Sequence, residues 1–311
     1  MGESRDDHAA ERRPLSAKEG GFLALLRWLP SSLLSAWAGK LAGLTWPAPL
    51  RKPVCLLFGR AVGVDFTEVR DPLKDFRSIQ AFFTRALRPG VRPVDSDPRS
   101  FVSPCDGAWG ASGRVEAGTL LQAKGRTYRL AEMIADPALA RHFEGGQYAT
   151  LYLSPRDYHR FHAPCDMWIR RAVYVPGSLW PVNRLGIEGV DGLFARNERL
   201  VAQVALSEGA SPESPVDLCI VAVGAMMVGK VKLGFDDLTT RSDSGGAPVR
   251  DYPAPGVALE KAQEWGHFEF GSTLVVVAAP GRVSLDSRPP GTSLRLGEAM
   301  GRLARSSSGS D

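Results

Sequence analysis

Two histidines three residues apart, in Tyr158-His159-Arg160-Phe161-His162, concentrate acid–base chemistry in a chain that has only five histidines in 311 residues. Imidazole changes charge near neutral pH, so it can serve as base or acid in a proton transfer. A carboxylate able to orient an imidazole stands in Ser103-Pro104-Cys105-Asp106-Gly107, and a hydroxyl beside an unshielded glycine carbonyl stands in Gly271-Ser272-Thr273. An aspartate that holds a histidine, a histidine that takes a proton and a serine that attacks form a nucleophilic set recognised by geometry, not by chain order. Asp106, one member of the 159/162 pair and Ser272 could supply that set, and the carbonyl attacked could be that of Gly271 itself. Each residue also has a plainer reading. Asp106 suits an Asx turn, the histidines could be hydrogen-bonded beneath a loop, and Gly271-Ser272 could be a turn entering a strand. A metal site is not expected: the His-Glu-x-x-His pattern is absent and no cysteine or glutamate cluster completes a shell.

Positioning such groups requires a rigid body, and the composition provides for one. Hydrophobic residues make up 44% and charged residues 23%, as in a globular protein able to bury a core. The 33 glycines and 23 prolines punctuate short apolar runs, which predicts a mainly β, α+β body of barrel or sandwich type. The predicted strands are 148–153, 168–175, 200–206, 218–223, 228–233 and 273–279. The first ends just before the histidine pair and the last begins just after Ser272. Asp71-Pro72 predicts a helix start, with Leu73, Phe76, Ile79, Phe83 and Leu87 on one face and Arg88-Pro89-Gly90 as its stop. A net charge of +4 is too small to argue for nucleic acid. Four scattered cysteines fit reduced thiols, with no disulfide framework.

Residues 1–20 read as a flexible lead-in and 306–311 as a disordered tail. Between 21 and 70 the pattern is amphipathic: Phe22, Leu26, Leu33 and Leu41 recur at helical spacing with Trp28 and Trp37 among them. No apolar run there reaches the roughly 20 residues of a spanning helix. The same stripe would serve a helical hairpin packed on the protein's own core or helices lying in a membrane interface.

Beyond these readings the chain resembles the phosphatidylserine decarboxylases. The resemblance is carried by Ser-Pro-x-Asp-Gly at 103–107, by Pro-Arg-Asp-Tyr-His-Arg-x-His at 155–162 and by the late Gly-Ser-Thr at 271–273. Phe82-Phe83-Thr84-Arg85, the Arg88 to Pro93 segment and the Val173 to Leu179 segment ahead of Asn183 extend it from about 82 to about 285. One departure is Phe270, where the family usually has leucine; it stays apolar and leaves the Gly-Ser bond intact.

Several expectations follow from the resemblance. The chain is a proenzyme that cuts itself between Gly271 and Ser272, with His162 as base and Asp106 orienting it. The products are a β chain, 1–271, and an α chain, 272–311, that begins with a pyruvoyl group made from Ser272. That covalent pyruvate is the cofactor, a ketone able to form a Schiff base with an amine and take up an electron pair. The 71–305 body then decarboxylates phosphatidylserine to phosphatidylethanolamine and CO2, with His159 positioning the carboxylate or delivering a proton. A lipid substrate favours the interface reading of 21–70, with Phe22, Leu26, Trp28, Leu33, Trp37 and Leu41 holding the protein on an anionic phospholipid membrane. That places it peripherally on the cytoplasmic face of the inner membrane. A homodimer is left open. The rival readings are a pyruvoyl decarboxylase of a soluble amino acid and an uncleaved, non-catalytic β-rich scaffold.

Overall fold

The computed structural model describes residues 39, 41–123, 125–207, 215–226, 230–240, 249–269 and 272–304. The expected lead-in, the tail, Phe270, Gly271 and the anchor residues Phe22, Leu26, Trp28, Leu33 and Trp37 lie outside the described residues.

A nine-stranded antiparallel sheet forms the centre. In spatial order it runs Val249–Asp251, Met167–Val175, Arg199–Leu206, Leu218–Val223, Ser272–Ala278, Gln147–Leu153, Gly107–Arg114 and Ser293–Leu294, with Val257–Leu259 also joined to Met167–Val175. The order has two ends, so the sheet is open and the barrel alternative does not hold; the sandwich form does. Its central strands Arg199–Leu206 and Leu218–Val223 are buried throughout because both faces are covered. Along Ser272–Ala278, Leu274, Val276 and Ala278 face one core while Val275 and Val277 face the other. The first core is closed by two three-stranded sheets, which contribute Phe101, Phe161, Trp265, Phe268 and Met300. The second is closed by short helices bearing Leu130, Met133, Ile134, Leu193 and Phe194. The strand that begins at Ser272 is therefore clamped in the middle of the molecule.

The helix expected after Asp71-Pro72 is broken into two pieces. A 3-10 turn spans Leu73–Asp75, Phe76 is extended, and a short helix covers Ile79–Phe83. Ser78 caps that helix by accepting the Ala81 N–H at 3.0 Å, and the Arg77 carbonyl is taken by the Trp46 N–H at 2.8 Å. The break lets Phe76 meet Phe82 edge to face at 5.3 Å inside a small satellite core with Cys55, Val64 and Val69. Aromatic packing outweighs the periodic stripe because one continuous helix would project Phe76 away from that cluster. The helix Ala48–Val62 lies on this core through Cys55 and Gly59, and ends at Gly63 in the left-handed region at φ 86°. Its outer side leaves Leu50 at 48% and Leu57 at 76% exposure.

Candidate active site

Two chain crossings define the site. The strand Gln147–Leu153 leaves the central sheet and, after a loop, continues as Arg160–His162 in a small sheet. The strand Glu264–Phe268 leaves that small sheet and, after a short connection, continues as Ser272–Ala278 in the central one. The crossings travel together, because Ser272 pairs with Leu153 at one end and His267 pairs with Arg160 at the other. A bond from the Phe268 N–H to the His159 carbonyl, 2.9 Å, sits at the second junction. The loop carrying His159 is thereby stitched to the end of the strand Glu264–Phe268. His162 lies three residues further along its strand, about 10 Å at strand rise, opposite Glu264.

His159 is fully buried, edge-on to Phe83 with ring centroids 3.9 Å apart. Its Nδ1 is 3.0 Å from the Asp157 carbonyl oxygen, which can only accept, so Nδ1 carries the proton. Burial, and then the Arg85 charge, push its pKa well below the usual imidazole value. The ring is neutral, and its Nε2 has no hydrogen-bond partner among the described residues. An unprotonated nitrogen held dry is a base in waiting.

His162 is differently bound. Its Nδ1 lies 2.8 Å from the Ala262 carbonyl oxygen and its Nε2 3.2 Å from the Tyr158 hydroxyl. Burial lowers its pKa, while the Ala262 bond and the Glu264 and Asp106 charges act in the opposite direction. Asp106 makes no hydrogen bond to this ring among the described residues. It receives Arg92 Nε at 2.9 Å on Oδ1 and Arg92 Nη2 at 2.6 Å on Oδ2, and the Leu296 N–H at 2.9 Å. The expected direct Asp106–His162 contact is thus replaced by a backbone link, His162 N–H to the Pro104 carbonyl at 2.8 Å, and by charge acting at a distance. Gly107 follows Asp106 because a Cβ there would lie 2.6 Å from the Tyr152 carbonyl oxygen, where the strand Gly107–Arg114 enters the sheet.

Arg92 is the organiser that sequence reasoning missed. It bridges Asp106 and Glu68, giving Nη1 and Nη2 to Glu68 at 3.0 and 2.7 Å. Burial works against its charge, yet these carboxylates hold its pKa above the ordinary arginine value. Arg85 and Tyr158 were missed in the same way: both lie within recognised segments, but nothing in the sequence says which oxygen or ring each would meet. Cys105 is buried, its thiol pushed well up by burial, which suits a packing role.

Sequence comparison finds related proteins. The profile of the phosphatidylserine decarboxylase family matches residues 79–302. A phosphatidylserine decarboxylase proenzyme of Anaeromyxobacter sp. (strain K) is 45% identical over 287 residues, covering 91% of this chain and 98% of that protein. Proteins of the same description from Myxococcus xanthus (strain DK1622) and Brevibacillus brevis (strain 47 / JCM 6285 / NBRC 100599) are 38% and 35% identical, over 90% and 89% of this chain and 97% and 95% of their own lengths.

Proposed function

The chain belongs to the phosphatidylserine decarboxylase family, which are carboxy-lyases, and on that premise we propose that it cuts itself at Gly271-Ser272 and converts phosphatidylserine to phosphatidylethanolamine and CO2. The observation that supports this most is the paired crossing: Ser272 pairs with Leu153 and the Phe268 N–H meets the His159 carbonyl, so the histidine loop is tied to the strand ends on either side of the bond to be cut.

In the cut, Ser272 loses its hydroxyl proton to a histidine, Oγ bonds to the Gly271 carbonyl carbon, and the peptide nitrogen leaves to give an ester. Loss of the Cα proton of residue 272 then expels the Gly271 carboxylate, and water replaces the nitrogen, which departs as ammonia. The pyruvoyl group so made supplies a ketone conjugated to an amide, able to accept the electron pair released with CO2. The residues around position 272 fit such a group: Thr273 is fully buried and its Oγ1, like His159 Nε2, lacks a partner among the described residues.

His162 is the base of the cut; burial lowers its proton affinity, the Ala262 bond and the Glu264 and Asp106 charges restore part of it, and it must release Tyr158 to act. His159 positions the substrate carboxylate or delivers the proton to the substrate carbon, and for delivery its bare Nε2 must first take one up. The bare Nε2 of His159 supports a second reading in which the two histidines exchange roles. The chains after cutting are 1–271 and 272–311. For a membrane partner the support is a series of exposed apolar side chains along residues 41–57, Leu41, Leu44, Leu50 and Leu57. No helix among the described residues is long and apolar enough to cross a membrane.

Intact mass of purified protein tests the proposal. Two fragments, the smaller blocked at its N-terminus, are expected in place of one 33.6 kDa species. A single uncut chain that releases no CO2 from phosphatidylserine would leave the scaffold reading instead. Turnover of free serine without turnover of the lipid would favour the soluble-substrate reading.

A further inference from the structure

A polar cleft opens beside the histidine loop, walled by Gly63, Asp157, Tyr158 and four arginines, 85, 92, 156 and 295. It has as many carboxylates as arginines, so net charge alone does not define its ligand. Hydrogen-bond accounting does. Each carboxylate is engaged: Asp106 and Glu68 hold Arg92, Asp65 accepts the Thr67 N–H and hydroxyl, and Asp157 accepts the Ser154 N–H and hydroxyl.

The arginines are not equally spent. Arg156 stands 3.7 Å from Asp157 with its side chain 68% exposed. Arg295 reaches Glu68 Oε1 only at 3.4 Å, an oxygen Arg92 already holds at 3.0 Å, and is 57% exposed. Arg85, behind them, gives Nη2 to the Arg156 and Asp157 carbonyls, while its Nε and Nη1 have no partner among the described residues. Guanidinium donors are in surplus at the mouth and the acids are committed. That arrangement suits an oxyanion with several acceptor oxygens, because the guanidinium fork matches phosphate geometry.

We propose that this cleft receives the phosphodiester of the substrate headgroup, gripped by Arg156 and Arg295. The assignment rests on the decarboxylase reading and adds to it a residue-level specificity site. Two connections place the cleft for that task. Asp157 lines it and also holds His159 through its carbonyl, so one hydrogen bond joins the cleft wall to the imidazole. Gly63 lines it and ends the helix whose outer side exposes Leu57, so acyl chains can remain on that apolar side while the headgroup turns inward.

The substrate carries a carboxylate as well as a phosphate, and titration calorimetry with the processed protein separates them. Glycerophosphoethanolamine offers phosphate without carboxylate, and free serine offers the reverse. Relative to the wild type, Arg156→Gln/Arg295→Gln is expected to bind glycerophosphoethanolamine at least tenfold more weakly, with serine binding unchanged and the lysine pair restoring part of the loss. Unchanged glycerophosphoethanolamine binding in a folded double variant, or a loss seen only with serine, would overturn the assignment. Because both side chains are largely solvated, folding should persist, and the thermal transition of each variant verifies it. The decarboxylase reading is scored separately, by CO2 release from dihexanoyl phosphatidylserine. A wild type that binds glycerophosphoethanolamine through these arginines yet releases none would sink that reading and leave the cleft standing.

Discussion

Arg85 and His159 donate to the same oxygen, the carbonyl of Asp157, at 3.1 and 3.0 Å. One acceptor thereby fixes the imidazole tautomer and brings a permanent positive charge next to it. The consequence is a histidine that resists protonation, by burial first and by the Arg85 charge second. Its outer nitrogen stays available as a base at pH values where a solvated imidazole would be charged.

The two histidines should separate by experiment. His162→Ala is expected to slow self-cleavage at least a hundredfold, the scale of a lost general base. His159→Ala should cut and then turn over at least a hundredfold more slowly. Fragment mass against time and CO2 release on the same samples check both, and the opposite pattern would exchange their roles.

Stability should fall with acidification in a defined window. Both histidines have folded pKa values below the usual imidazole value, so the unfolded chain binds more protons between the folded value and about 6.5. Their contribution is complete above about pH 6.5 and is lost as pH falls toward the folded values. Urea midpoints measured from pH 7.5 to pH 5 should decline, and His159→Phe should flatten the decline. A wild type with a pH-independent midpoint across that range would contradict the buried neutral imidazole.

Arg92 anchors two carboxylates with little solvent around it, its side chain 8% exposed and those of Asp106 and Glu68 8% and 17%. Arg92→Met leaves Asp106 without its cation and Glu68 with only the 3.4 Å Arg295 contact, a change that costs about 3–5 kcal/mol for a buried pair losing one partner. Chemical denaturation should report that loss. Replacing all three by apolar residues should recover much of it, while abolishing any influence of Asp106 on His162.

Leu50 and Leu57 share the outer side of the helix Ala48–Val62. Leu50→Glu/Leu57→Glu should leave the thermal transition nearly unchanged but reduce partitioning to anionic liposomes at least tenfold, since each leucine transferred from water is worth about 1.5–3 kcal/mol. Undiminished liposome binding by the folded variant would remove these residues from the membrane contact.

Much of the fold was legible because its strands are covered on both faces. Leu218–Val223 is buried throughout and reads as an uninterrupted apolar run; the strand Ser272–Ala278 is announced the same way. The region 71–87 misled because its apolar spacing is helical while Phe76 belongs to an aromatic cluster assembled from residues well before and after it. Arg92 and Arg85 carried no local signal of their tasks, since their partners lie 14 to 72 residues away.

The sequence alone determined the chemical inventory: a Gly-Ser step entering a strand, a pair of imidazoles just after a strand, and an aspartate before a glycine. Those are local facts, set by residue type and by the two-residue period of a strand. The expected loop holds His159 only, since His162 lies in the strand Arg160–His162. Tertiary structure decided which groups meet. It gave Asp106 to Arg92 instead of to an imidazole, gave His162 Nε2 to Tyr158, and tied the His159 carbonyl to the Phe268 N–H. Hydrogen bonds reach about 3 Å, so the partner of a buried polar group depends on how sheets stack and strands cross, which residue order along the chain does not specify.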